Sequence, residues 1–194
     1  RSIGEVRGLL LQPDDKILAW GNITNAGGVT CRGLVRFHPD GTVDTNFVPS
    51  ANEYCFAAAL QDDGKLVVGG AFIVDGTTND VVRLNPDGAL DDTFSPLQLT
   101  NSSASVATLA IQGDGSVLAG GRFRHHGRDN LLRLDAFGNI DPGFNCTAAS
   151  VTNALQVRSL VLDASGFITV GVEAGTGSGT NPVVKLFPDG TENV

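Results

Sequence analysis

The first hint of chemistry in this sequence is a basic cluster on an acidic chain. Arg122, Arg124, His125, His126 and Arg128 crowd together, although 13 Lys and Arg face 21 Asp and Glu overall, for a formal charge of −8. Arginine forks hold carboxylates and other oxyanions by paired hydrogen bonds, so the functional reading is an anion contact. The plainer reading, which a charge run favours, is a solvated loop balancing nearby Asp residues. A metal held by His125 and His126 is disfavoured, because adjacent strand residues point to opposite faces. Trp20, the only Trp, is the remaining candidate contact, as an aromatic stacking surface.

Other chemistry finds little support. Asp14, Asp15, Asp40, Asp62, Asp63, Asp87 and Asp189 recur in turns, but none opens a D-x-[DN]-x-[DN]-G loop with its late Glu. Gly175-Thr176-Gly177-Ser178-Gly179 lacks the following Lys and the strand-to-helix setting of a phosphate loop. No G-x-S-x-G or H-E-x-x-H is present, and there are three His in all. Cys31, Cys55 and Cys146 form no C-x-x-C. They read either as one bridge plus a free thiol or as three buried thiols. No catalytic residue, metal or cofactor is therefore expected. A pI near 4.6 disfavours nucleic acid and anionic lipid as partners. No apolar run approaches the ~18 residues of a membrane span. No signal-peptide pattern opens the chain. Met is absent even at position 1, which predicts a chain processed or excerpted from a longer one. Sequons at Asn22, Asn101 and Asn145 matter only in a eukaryotic secretory host.

The elements that must position these residues come from a repeat. Leu9-Leu10-Leu11-Gln12-Pro13-Asp14-Asp15-Lys16-Ile17-Leu18-Ala19 aligns with segments starting at Ala58, Leu109 and Leu160. The anchors Gln12, Gln61, Gln112 and Asp163 are 49, 51 and 51 residues apart. A second block reads Val35-Arg36-Phe37-His38-Pro39-Asp40-Gly41 and returns from Val82, Leu132 and Val184. A tail ending in Phe47, Phe94 or Phe144 closes the first three units. Each unit holds four apolar stretches of strand length, split by Asp-Gly or Asp-Asp turns of the hairpin kind. Runs such as Ile17–Ala19 are apolar without alternation, which fits strands covered on both faces. No sustained 3.6-residue period appears, so no helix is expected. Hydrophobic residues are 41% and aromatics 6%, which predicts an aliphatic core.

This pattern predicts an all-β fold, a β-propeller of four ~50-residue, four-stranded blades. It would be either a small closed ring or an arc of a larger or oligomeric ring. The domain is read as 1–194, with units at about 5–50, 51–100, 101–150 and 151–194. Gly69-Gly70 and Gly120-Gly121 are read as ending the second strands, where neighbouring sheets approach closely. Arg36, Arg83 and Arg133 each stand eight residues before an Asp, at Asp44, Asp91 and Asp141. A turn lies midway, so each pair is expected to meet across a hairpin as a structural fixture. In the fourth unit both partners change, to Lys185 and Asn193.

Gln61–Phe72 and Arg83–Phe94 resemble, almost throughout, the delta-60 repeat family, a bacterial β-propeller repeat of unknown function. The resemblance covers nearly the whole chain. It departs at Asp15, Trp20, Phe137 and in the fourth unit. It implies secreted or surface-exposed bacterial proteins, often large and multidomain, and it carries no catalytic residue over to this sequence.

The segments between second and third strands, Thr24–Thr30, Val74–Asp80, Arg124–Asn130 and Ala174–Pro182, differ most between units. The other turns are nearly uniform, which predicts a shared scaffold with one tailored face. The leading expectation is an extracellular or cell-surface module, non-catalytic, that binds a protein or glycan partner on the loop face or serves adhesion and assembly. A carbohydrate-binding propeller is the alternative, weakened by having one Trp and one Tyr, Tyr54. A propeller hydrolase or lyase is the third reading. Self-association or inclusion in a larger parent protein would cover exposed blade faces.

Overall fold

The computed structural model describes residues 4–50, 54–74, 76–100, 104–175 and 182–193. The chain forms two compact units, Arg1–Pro96 and Leu97–Val194.

In unit 1, β1 (Glu5–Leu11) and β2 (Ile17–Asn22) form a hairpin. A short hairpin of β3 (Asn25–Ala26) and β4 (Val29–Thr30) follows, then β5 (Leu34–Phe37) joins β2. The second sheet comprises β6 (Cys55–Leu60), β7 (Leu66–Val74) and β8 (Thr77–Leu84). In unit 2, β9 (Ser105–Ile111), β10 (Val117–His125) and β11 (Arg128–Leu134) make one antiparallel sheet. After a short helical turn, α1 (Ala149–Thr152), the strands β12 (Gln156–Leu162), β13 (Ile168–Glu173) and β14 (Val183–Leu186) make the other.

Each of the four repeated sheets therefore has three strands, where four were expected. The fourth stretch survives as one bridge: Phe37 to Val43, Leu84 to Leu90, Leu134 to Ile140 and Leu186 to Glu192. The first three share one reason. One residue past the bridge stands an Asp whose carboxylate accepts the amide two residues on, as Asp44 does from Asn46 at 3.1 Å and Asp91 from Thr93 at 3.0 Å. That turn ends the ladder and sends Phe47, Phe94 and Phe144 into the interior, 7%, 2% and 0% exposed. The single helical turn α1 also departs from the helix-free expectation. Four residues with one buried side chain, Val151, are too few to leave a 3.6-residue period.

The first turn of each unit closes the same way, with Gln12, Gln61, Gln112 or Asp163 bonded across to the residue four on. Its fourth position is left-handed, which Gly64, Gly115 and Gly166 adopt without cost. Asp15 takes it at φ 61° in the first unit, as a short polar side chain can.

Gly69-Gly70 and Gly120-Gly121 do not end their strands, which run on to Val74 and His125. They lie opposite a one-residue bulge in the first strand, at Phe56 and Ala107, and the same bulge recurs at Arg7 and Arg158. There the backbones press together. A Cβ on Gly70 would overlap the Tyr54 carbonyl, and one on Gly121 the Ser105 carbonyl. Gly120 instead faces the neighbouring sheet of its unit, against Val157.

The core of unit 1 packs Leu18, Leu34, Phe47, Cys55, Val68, Phe72 and Leu84 between its sheets. That of unit 2 packs Leu118, Leu131, Phe144, Val157, Val170 and Leu186. Cys31, Cys55 and Cys146 are free thiols. Among the described residues no helix is long and apolar enough to cross a membrane. The sequon at Asn101 and most of the Gly175–Gly179 stretch lie outside the described residues.

Candidate functional site

Each sheet has two unlike ends. At the turn end, the first strand passes to the second and the third to the tail. At the loop end, the second strand passes to the third.

The turn end is fastened. Arg36 Nε donates to Asp44 Oδ2 at 2.9 Å, Arg83 Nε to Asp91 Oδ2 at 2.6 Å and Arg133 Nε to Asp141 Oδ2 at 2.7 Å. Each guanidinium also lies over the tail Phe of its unit, at 4.5, 4.8 and 4.9 Å from the ring centre. The remaining fork reaches the next sheet of the same unit: Arg36 Nη1 donates to the Pro86 carbonyl at 2.7 Å and Arg133 Nη1 to that of Pro188 at 2.8 Å. Lys16 and Lys65 add a second cation to Asp44 and Asp91. Burial favours the neutral acid at Asp91, but hydrogen bonds from Thr93, Lys65 and Arg83 outweigh it and hold the carboxyl well below its ordinary value. At Asp44 the amide of Asn46 and the Arg36 guanidinium do the same against burial. Lys185 turns instead to Asp163, at 3.2 Å, and covers Phe167. The side chains and the cross-sheet bonds together make this end a joint.

The loop end is unlike from sheet to sheet. Thr24–Thr30 contains the β3–β4 hairpin, whereas β7–β8 and β10–β11 continue as ladders almost to their tips. In unit 2, His126 and Gly127 form a two-residue turn with φ 48° and 78°. His125 and Arg128 face one another across it. Between Gly120 and Arg124 the ladder is irregular, three residues standing against Asn130 alone. Asn130, left-handed at φ 66°, repairs the gap. Its Oδ1 accepts the Phe123 amide at 3.3 Å, and its Nδ2 donates to the Val151 and Ala154 carbonyls at 3.1 and 2.9 Å.

Strand alternation sorts the basic cluster onto two sides. Arg122 and Arg124 are exposed, and Arg124 pairs with Asp129 at 3.5 Å. Phe123 and His125 are buried between them in the alternation. Arg128 is half-buried and gives Nη2 to the Asp141 carbonyl at 3.4 Å. The two His rings do not diverge. They meet edge to face, centres 4.4 Å apart, because His126 sits in the left-handed turn rather than on the strand. Even so, the described residues contain no group of three His, Cys, Asp or Glu placed to hold a metal. Burial, with the charges of His126 and Arg128, pulls the His125 pKa below its ordinary value.

Trp20 has a different setting. Its ring lies over Gly8 and packs against the core of unit 1, so it stacks within the fold. The loop end of unit 1 offers another aromatic. A cleft of about 290 Å³ is lined by Gly21, Asn22, Thr24, Arg32, Gly33 and Tyr54, with Tyr54 49% exposed. Nothing in the local sequence around Tyr54 or Arg32 marks them; they come together from the segment before β5 and the residue before β6.

A family model described as "Domain of unknown function (DUF5122) beta-propeller" matches residues 12–47, 61–94 and 112–144. No curated protein matches the chain. Among solved structures, the extracellular domain of a B. thetaiotaomicron one-component system is similar over 94% of this chain and 21% of its own, with 19% identity and a TM-score of 0.55. Virginiamycin B lyase from Staphylococcus aureus is similar over 96% of this chain and 56% of its own, at 14% identity and TM-score 0.57. PorZ, a surface component of the type-IX secretion system of Porphyromonas gingivalis, is similar over 86% and 24%, at 13% identity and TM-score 0.51. The chain thus spans between a fifth and somewhat over half of these proteins, and at such identities the likeness is one of fold.

Proposed function

This chain belongs to the β-propeller family described as a domain of unknown function (DUF5122), and on that premise we propose that it is an extracellular, non-catalytic binding or structural module whose working surface is the loop end. One observation carries the reading: the turn end is spent on repeated Arg–Asp–Phe joints, while the loop end differs in every described hairpin and presents Arg122 and Arg124 outward. A scaffold of uniform joints with one varied end is the arrangement of a binding module. The extracellular domain and the surface secretion component among the similar folds support an extracellular setting. In the same reading the four sheets are consecutive blades of one domain, in a closed small ring or an arc. Light scattering decides: a clean 20.1 kDa monomer ends the self-association reading.

The test is a combined glycan and peptide array. A ligand lost in Arg122→Ala/Arg124→Ala or in Tyr54→Ala, kept in the turn-end variant Lys16→Ala, and recovered chemically unchanged supports the module. Binding lost only through turn-end changes overturns it, as does turnover of the ligand.

The carbohydrate reading has its own observation, the Tyr54 cleft with Arg32 and Asn22 beside the ring. An aromatic face with polar neighbours suits a sugar ring. A glycan array without a Tyr54-dependent signal retires it.

A further inference from the structure

The tip of the β10–β11 hairpin holds two polar groups that the fold leaves without a protein partner. His125 is 5% exposed, and its Nδ1 is buried with no hydrogen bond. Arg128, its direct neighbour across the turn, buries Nε equally unpartnered. Neither forms an ion pair among the described residues, since the nearby carboxylate of Asp129 is engaged by Arg124. Among the described residues the Arg128 side chain has one bond, a long one from Nη2 to the Asp141 carbonyl at 3.4 Å. Buried donors in folded proteins nearly always find acceptors, and a buried guanidinium edge has the strongest need of one. Here the Arg128 Nε donor and a His125 ring nitrogen, which donates in its Nδ1–H tautomer, share one side of a hairpin, and a third basic group, His126, stands edge-on at 4.4 Å. The turn that places them is rigid: a two-residue reversal with both residues left-handed, anchored by the Asn130 side chain to the segment containing α1.

We propose that His125 and Arg128 form a binding site for a small carboxylate, with Arg128 Nε and the His125 imidazole N–H as its two donors. One permanent positive charge beside an imidazole that burial keeps uncharged at neutral pH matches a monoanion. A dianion would leave one negative charge uncompensated by this pair. The groups acting on His125 are His126 in the turn and Arg128 across it; α1, packed near β11, carries no titratable side chain. A bound carboxylate favours protonated His125, so affinity rises as the pH falls. The proposal rests on reading the loop end as the binding end and names the chemistry of one part of it.

The probe is sodium acetate, followed by imidazole nitrogen and carbon NMR of the three His at fixed ionic strength. The expected result is a saturable shift confined to His125 and His126, with the His125 pKa rising toward its ordinary value. Arg128→Gln should abolish it and Arg158→Gln, an exposed arginine paired with Glu173, should leave it intact. Amide spectra report whether Arg128→Gln folds. Arg128→Lys keeps a charge without the planar fork and should weaken binding by about tenfold or more. Shifts that follow ionic strength alone, that survive both Arg128 variants, or that are matched by phosphate at equal affinity overturn the proposal. Array binding that depends on Tyr54 or Arg124 while acetate leaves His125 unmoved sinks this site alone. The opposite outcome sinks the wider module and keeps the site.

Discussion

Arg83 Nε lies 2.6 Å from Asp91 Oδ2, and the same guanidinium covers the Phe94 ring at 4.8 Å. Arg83 and Asp91 are 7% and 3% exposed, so the pair is desolvated, and Lys65 at 2.9 Å is the second cation on Asp91. Removing Arg83 takes away the more buried of the two cations together with its cover of the Phe94 ring. Arg83→Ala should destabilise the protein by about 3 kcal/mol, or roughly 10 °C in melting temperature for a chain of this size. An unchanged thermal transition would remove the pair from the account of stability.

Acid should loosen these joints in a defined direction. Asp44 and Asp91 have folded-state pKa values below their ordinary ones. The unfolded chain then binds more protons in the acid range, so the stability they contribute is complete above about pH 4 and is lost as the pH falls through the folded values. Urea midpoints measured from pH 7 downward should decline below that point. Asp91→Asn should lower the midpoint at pH 7 and flatten the acid slope, and a slope unchanged in this variant would assign the acid sensitivity elsewhere.

The recurrent bulge makes two glycines costly to replace. Gly70→Ala and Gly121→Ala each drive a methyl into a facing carbonyl, of Tyr54 and Ser105, and should cost about 1–3 kcal/mol, the range for overpacking. Gly113→Ala, with no atom near its added methyl, is the control and should be close to neutral. Equal denaturation midpoints for all three would refute the close approach.

Thiol reactivity should follow burial. Burial pushes the Cys55 thiol up to about 12 and that of Cys146 up to about 11, while Cys31 is raised on the partly open edge of unit 1. Native alkylation at pH 8, read by peptide mass spectrometry, should label Cys31 first, Cys146 slowly, and Cys55 only after denaturation, because the thiolate is the nucleophile. Cys55 reacting as fast as Cys31 would contradict its place in the core.

Much of the architecture is written in local, repeated signals. The steps between Gln12, Gln61, Gln112 and Asp163, the turn residues between them, and the eight-residue spacing of Arg36 and Asp44 all act within one hairpin, where chain geometry leaves few alternatives. The family match rests on the same positions. Tertiary structure decided what depends on contacts distant in sequence. Where the fourth strand stops is set by Asp44 turning Phe47 into a core shared with the next sheet. Trp20 is drawn onto Gly8 by packing that its own segment does not reveal. The Tyr54 cleft is assembled from the end of β2, the segment before β5 and the residue before β6. Which of His125 and Arg124 is buried is decided in the packed sheet, beside the irregularity between Gly120 and Arg124. Strand alternation assigns faces only while the register is unbroken. Here it is broken where Gly121 meets the Ser105 carbonyl and Asn130 ties the hairpin to the segment bearing α1, so spacing only separates Arg122 and Arg124 from His125, and the packed sheet decides which of the two sets is buried.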